Sequence, residues 1–488
     1  MNSPGPLTGQ PTLPERTRGS RRPTEALLPV AVLGGGITGL SAAWQLRRQG
    51  VPVVVFESRG QPGGVAGSIR EDGWLHETGP NTLFENSPAI TALLDDLGLR
   101  GRCLEASPAA ARRYVVRGGR PVALPDSPLN FLPNRLLSWS AKFAALGEPF
   151  RPRRKDDHEE NVAEFVTRRL GAEFLDYVVN PFVAGVYAGD PAGLSVRHAF
   201  PKLYALEREH GSLIRGSLRR RNGTAGPRGR MVSFPEGLAE IPRALAAGLD
   251  DGLRLNRAVA FIRRTGTIWR IGFVTPDGLA EENFSSVICA LPPDALAGLS
   301  LTMEGVPGSE GLAALQEIRQ PPVASVFMGF RRADVAHALD GFGLLTPAVE
   351  KRRILGTLFS STLFPGRAPA GHVALTTFVG GMRQPELALQ NDEDLVETVQ
   401  GELTALLGVR QPPVFTRIHR WPRAIAQYGV GFQRFKDACT AVEASSPGLL
   451  LGGTCRDGVS LANCITAGQR LAAAAQARID TLLNQVVA

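Results

Sequence analysis

The stretch that most restricts the fold is AVLGGGITGLSAAWQLRRQGVPVVVFES, Ala31 to Ser58. Val30 to Leu33 is a short apolar run of the kind buried in a parallel sheet. Gly34, Gly36 and Gly39 follow in GxGxxG register, with Gly35, Ile37 and Thr38 between them. Gly34 permits a tight turn, Gly36 lets the backbone approach a pyrophosphate, and Gly39 lets the next helix pack on the strand. Thr38 to Arg48 reads as that helix, whose N-terminal N–H groups and positive dipole end suit phosphate. Val51 to Phe56 reads as the second strand. Glu57 ends it and Ser58 follows. An acid there accepts hydrogen bonds from a ribose 2′-OH and disfavours a 2′-phosphate, which argues against NADP. The spacing predicts a dinucleotide-binding βαβ unit.

The remainder of the chain is soluble in character. It has 488 residues, 43% hydrophobic and 20% charged, a length for two or three domains. No run of about 18 apolar residues predicts a membrane span. Cys103, Cys289, Cys439, Cys455 and Cys464 are scattered without a CxxC pair, which argues against a disulfide framework or zinc site and for a reducing, cytoplasmic setting. The histidines lack metal-ligand spacing, so no metal is expected. The net charge of +8 comes with an Arg-rich composition and no nucleic-acid motif, so no nucleic-acid partner is expected. Met1 to Leu28, rich in Pro and Arg, reads as a disordered tail rather than a transit peptide.

The residues after Glu57 separate FAD from NAD. ESRGQPGGVAGSIREDGWLHETGP brings Gly63-Gly64 and Gly79-Pro80, followed by Asn81 and Thr82. A plain NAD unit requires no second glycine pair here. The segment resembles the amine-oxidase-like flavoprotein superfamily, in which it lies along the FAD. Val65 departs from the Arg or Lys frequent there. The resemblance implies non-covalent FAD, since no covalent-attachment cysteine is matched, and further cofactor contacts at Val259, Trp421, Val459, Ser460 and Leu461.

The expected fold is α/β (α+β): a Rossmann-like FAD-binding domain, a strand-rich substrate-binding domain and a helical insertion. The FAD domain is expected to be discontinuous, over 29–85, 230–295 and 415–488. LRLNRAVAFIRR, carrying Val259, reads as a strand, and SSVICALPP as a buried strand stopped by Pro292-Pro293. GLLLGGTCRDGVSLANCITAGQRL reads as a strand, a Gly-rich turn and a long helix beginning near Ser460. Residues 86–229 form the expected helical insertion, facing substrate and membrane, and 296–414 the strand-rich domain.

NPFVAGVYAGDPAGLSVRHAFPKLYALE, GTLFSSTLFPGRAP, LTTFVGGMRQPEL and WPRAIAQYGVG narrow the resemblance to the protoporphyrinogen-oxidase family, with its bacterial coproporphyrinogen-oxidising relatives. It covers nearly all the chain from Pro29 on. GGTCRDG departs from the family's usual turn near the flavin. The resemblance implies oxidation of a porphyrinogen by FAD and O2 with H2O2 release, on protoporphyrinogen IX or coproporphyrinogen III. That chemistry needs an apolar slot and a cation for a propionate, and no residue is assigned as acid or base. In the family an Arg at Arg113 binds a propionate, with Arg112 the alternative if the register slips. Leu345, Leu358 and Phe378 match positions stacked on pyrrole rings, Phe342 joins them more weakly, and Gly185 matches a glycine facing the macrocycle. From the residues alone these would read as a solvated hairpin arginine and strand core.

Leu132, Leu136, Trp139, Phe143 and Leu146 are expected to fall on one helical face. That face suits packing on its own domain or lying on a membrane surface. The acid-free run Arg215 to Arg230 reads as a solvated loop, with anionic lipid or a downstream haem-pathway enzyme as alternatives. A homodimer is left open. The rivals are an amine oxidase, disfavoured by the lack of Lys in QPPVASVFMGFR, a carotenoid-type desaturase, and a flavin binder without catalysis.

Overall fold

The structure is a computed structural model. It describes residues 28–125, 127–222, 229–304, 306–308 and 310–487. The expected tail, save Leu28, lies outside these residues, as does part of the Arg215–Arg230 run.

The chain enters one parallel sheet at its beginning, middle and end. The strand order is Leu253–Arg254, Val53–Phe56, Val30–Leu33, Ser286–Cys289, Leu449–Leu451. Val30–Leu33 is central and fully buried, because helices and a second sheet cover the two faces. The helix Ile37–Arg48 crosses over one face, and the C-terminal helix Leu461–Val487 lies against it. The two approach so closely that a Cβ at Gly468 would stand 2.4 Å from the Thr38 carbonyl oxygen. The fold is thus of the α/β class expected, with the parallel sheet closed by a late return of the chain.

A second five-stranded sheet, Val259–Thr265 among its strands, packs beside the first. The third has seven strands in the order Phe415–Trp421, Val323–Arg331, His372–Gly380, Gly356–Leu358, Gly343–Leu345, Tyr114–Arg117, Arg120–Ala123. It draws on three stretches, so its outer members come from segments assigned by sequence to the helical insertion and the cofactor domain. The hairpin Tyr114–Ala123 turns at Gly118 and Gly119, with φ of +59° and +72°, the left-handed pair a two-residue turn requires. Phe415–Trp421 carries the other edge toward the cofactor loops.

One sequence expectation is corrected. Leu132 to Leu146 is not one helix: a short turn, Pro128–Phe131, is separated from the helix Trp139–Leu146. Pro133 supplies no N–H, and the Asn134 side chain accepts from Leu136 N at 2.8 Å and donates to Ala123 O at 2.8 Å, which holds the link non-helical. Leu136 therefore turns inward and is buried, whereas Leu132, Trp139, Phe143 and Leu146 stay exposed.

Candidate functional site

The glycine loop and Glu57 form one preassembled cradle. Gly34 has φ of +102°, and its N–H donates to Phe56 O at 2.9 Å. Gly35 N donates to Glu57 Oε2 at 2.8 Å, and Arg59 N donates to Glu57 Oε1 at 2.8 Å, with the Ser58 hydroxyl donating to Oε1 at 3.3 Å. A carboxylate has about four lone-pair sites, so Glu57 is fixed in orientation and still able to accept a ribose hydroxyl. A Cβ at Gly39 would lie 2.0 Å from Gly34 O, whereas one at Gly36 would meet nothing within 4 Å. Gly39 thus serves helix–strand packing, and Gly36 fronts open space at the N-terminus of the helix that begins at Ile37, with Thr38 in its first turn. That open space fits a pyrophosphate.

The second glycine pair closes on the first. Gly63 N donates to Gly35 O at 2.8 Å, Gly63 and Gly64 have φ of +114° and +62°, and a Cβ at Gly64 would stand 3.2 Å from Gly36 Cα. The Gly79–Thr82 loop, with Pro80 and Asn81, lies beyond Val65, whose carbonyl a Gly79 Cβ would meet at 2.3 Å. Trp421 reaches this loop from the seven-stranded sheet and donates Nε1–H to Thr78 O at 2.7 Å. Arg59, which sequence reasoning missed, donates to Gly64 O at 3.1 Å and lies over the Trp421 ring, bringing a cation where Val65 supplies none. Val259 starts its strand beside the first sheet.

The departing turn GGTCRDG is held by partners of its own. Asp457 accepts from Gly453 N at 2.9 Å and from Arg470 at 2.9 Å. Tyr428, from the WPRAIAQYGVG motif, accepts from Gly458 N at 2.8 Å and donates to Thr454 O at 2.7 Å. Burial drives the Tyr428 hydroxyl pKa well up, so it remains a donor. The turn delivers Val459 and Ser460 to the start of the helix at Leu461, where Ser460 Oγ accepts from Asn463 N at 3.1 Å. Gly453 faces Thr38, so this end of the chain borders the cradle.

The substrate candidates gather on one face of the seven-stranded sheet. Leu345 pairs with Gly356, Gly356 with Phe378, and Leu358 with Gly343 and Thr376. Alternation puts Leu345, Leu358 and Phe378 on the same side. Each is half-buried among buried neighbours. Gly185 comes from the helix Asn180–Tyr187, and a Cβ there would meet Leu345 Cδ2 at 2.8 Å. This helix is pinned by groups that sequence reasoning missed: Arg383 donates to Thr346 O at 2.8 Å and to Asn180 Oδ1 at 3.1 Å.

Arg113 is exposed at the foot of its hairpin, with its guanidinium 5.3 Å from the Phe342 ring centre. Arg112 is committed elsewhere, paired with Asp340 and in reach of Tyr114. Among the described residues no carboxylate is paired with Arg113, which leaves it the better placed of the two for an outside carboxylate. Phe342 and Leu358 pack together against Ala110, Leu363 and Phe364, joining the cation to the apolar row.

Beside that row lie titratable groups absent from the sequence reading. Burial, with Arg417 and His419 nearby, lowers the His76 pKa to about 4. Burial raises Glu77 to about 7, against the Ser68 hydroxyl and Arg367. Among the described residues no group of side chains could hold a metal ion.

Residues 37–476 match the family described as flavin-containing amine oxidoreductase. A tobacco protein named mitochondrial protoporphyrinogen oxidase is 35% identical, over 90% of this chain and 93% of its own. A Bacillus subtilis protein named coproporphyrinogen III oxidase is 26% identical, over 90% of this chain and 96% of its own. The solved structure of an Exiguobacterium protein shares the fold, with a TM-score of 0.77 at 23% identity, covering 93% of this chain and 99% of that one.

Proposed function

Since the chain belongs to the flavin-containing amine oxidoreductase family, in which FAD is its cofactor, we propose that it oxidises a porphyrinogen, protoporphyrinogen IX, to the porphyrin with O2 as final acceptor. The observation that carries this reading is Arg113, which pairs with no carboxylate among the described residues and lies over the Phe342 ring at the rim of the apolar row Leu345, Leu358 and Phe378. Coproporphyrinogen III is the alternative substrate, supported by the Bacillus subtilis relative.

Bound FAD supplies two-electron acceptance as hydride equivalents, used three times for a six-electron oxidation. The chain's own part is binding and orientation. The Arg113 guanidinium takes a propionate in a charge-assisted contact. The apolar row covers the macrocycle and excludes water, and Gly185 leaves it room. In air, the holoenzyme should convert protoporphyrinogen IX to fluorescent porphyrin with three H2O2 per porphyrin. Silence with both porphyrinogens contradicts the reading.

Two expectations follow from the site. Acid precipitation releases all yellow colour to the supernatant, because the cradle holds FAD without a covalent bond; colour in the pellet contradicts this. Arg113→Ala loses about 2 kcal/mol of productive binding, about thirtyfold in kcat/KM, at unchanged flavin content. Unchanged kinetics would remove the propionate role.

The enzyme also contacts membrane peripherally in this reading. No described helix is long and apolar enough to cross a membrane. Yet Trp139 is 59% and Phe143 65% exposed on one short helix, with exposed Leu129, Leu132 and Phe150 nearby in sequence. Such a patch suits the interface of a bilayer beside a site whose product is poorly soluble. Phe143→Glu should abolish sedimentation with anionic vesicles and leave turnover of detergent-dispersed substrate intact; unaltered sedimentation counts against the contact.

A further inference from the structure

Each two-electron step of the proposed oxidation leaves a proton behind, and the wall beside the apolar row contains groups able to take it. His76, on the strand Trp74–Glu77, is 2% exposed. Its Nδ1 lies 2.9 Å from Nε2 of His419, and the two rings stack at 5.0 Å. Its Nε2 is buried without a protein partner. The ring lines a cavity of about 10 Å3, room for one water, together with Asn81, Ser360 and Thr376.

The cavity adjoins the proposed substrate face. Thr376 pairs with Leu358 and lies two residues from Phe378, so the three share that face. Asn81 belongs to the loop read as flavin-binding. Ser325 pairs with Phe378 on one side and His419 on the other, and its hydroxyl is also buried without a partner. Two orphan polar groups therefore flank the row, and half-buried His419 leads outward from them.

The surroundings keep the pair neutral. Glu71 and Arg417 neutralise one another through a 2.9 Å hydrogen bond. Glu77 and Arg367 line the same cavity, 3.5 Å apart. Phe327 and Phe415 pack on the His76 ring. Burial lowers the pKa of both histidines.

We propose that His76 and His419 are the proton exit of the reaction, carrying each proton from the substrate face to solvent. The inference rests on the porphyrinogen reading. In one step a methylene C–H bond breaks and its electron pair leaves with hydrogen to FAD. A pyrrole N–H bond breaks, its pair completes the new double bond, and its proton goes to His76 Nε2 by way of the cavity that this ring lines. The proton on His76 Nδ1 moves to His419 Nε2, and His419 Nδ1 gives one to solvent. The hydrogen bond then runs the other way, and the tautomers exchange back before the next step.

The test compares wild type, His76→Gln and His419→Asn as holoenzymes, with melting temperature and flavin content certifying the fold. Flavin reduction by protoporphyrinogen IX without oxygen is followed, with and without added imidazole. Both variants should be slower, His76→Gln by about a hundredfold, and imidazole should restore His419→Asn. Histidine 15N NMR of the resting enzyme should show a neutral His76 imidazole, hydrogen-bonded to His419, at about pH 6, a signature lost in either variant. Unchanged rates, slow rates indifferent to imidazole, or a charged His76 at that pH would overturn the relay alone. A wild-type enzyme that no porphyrinogen reduces fails the porphyrinogen reading, and the relay with it.

Discussion

Gly36→Val should give a folded but colourless protein with no activity. The reason lies in the difference between two glycines three residues apart. A side chain at Gly39 would collide with Gly34 O, since even its Cβ would be 2.0 Å away, so the strand and helix could not pack. At Gly36 the φ of −76° suits any residue, and its Cβ would meet no protein atom within 4 Å. The branched side chain then occupies the space in front of the helix N-terminus, where the pyrophosphate must approach the backbone. Melting of the flavin-free variant should match flavin-stripped wild type, while absorbance shows no bound FAD. A yellow Gly36→Val enzyme would mean that the phosphates lie elsewhere.

Phe378→Ala should lower kcat/KM by on the order of a hundredfold without loss of flavin. Lost apolar burial of about 2 kcal/mol and lost stacking of about 1 kcal/mol together predict that size. Part of the loss should fall on kcat, because a loosely held macrocycle reaches the flavin in the wrong geometry. Phe378 is only half-buried, packed beside Ala184, Ala188 and Leu355, so its removal leaves an open recess rather than a sealed cavity. If it were plain core, the cost would be about 3–5 kcal/mol of stability. A large fall in melting temperature with unchanged kinetics would return Phe378 to the core.

The cofactor cradle was legible in sequence because its parts are local. Strand, glycines, helix and Glu57 lie within one short stretch, and each glycine has a steric reason that spacing alone expresses. The two later returns to the parallel sheet were also readable, since Ser286–Cys289 and Leu449–Leu451 are compact apolar runs between turn signals. The third sheet was less so. Tyr114–Arg117 and Phe415–Trp421 complete it from opposite ends of the chain, and alternation says which face a residue takes but not which strand it joins. Leu136 was misplaced because a helical period was run through Pro133. His76 and His419, 343 positions apart, carry no motif. Only the packing of two separate sheets brings their rings together, and only burial marks them as unusual.

The central claim is that a porphyrinogen delivers electrons directly to FAD held beside the Leu345, Leu358 and Phe378 row. Anaerobic mixing of the holoenzyme with protoporphyrinogen IX, and separately with coproporphyrinogen III, tests it without any assumption about the final acceptor. One of the two should bleach the flavin absorbance, with up to three flavins reduced per macrocycle and porphyrin absorbance rising in step. A flavin that stays oxidised with both, while an amine bleaches it, would contradict the account and move the enzyme to another branch of its family.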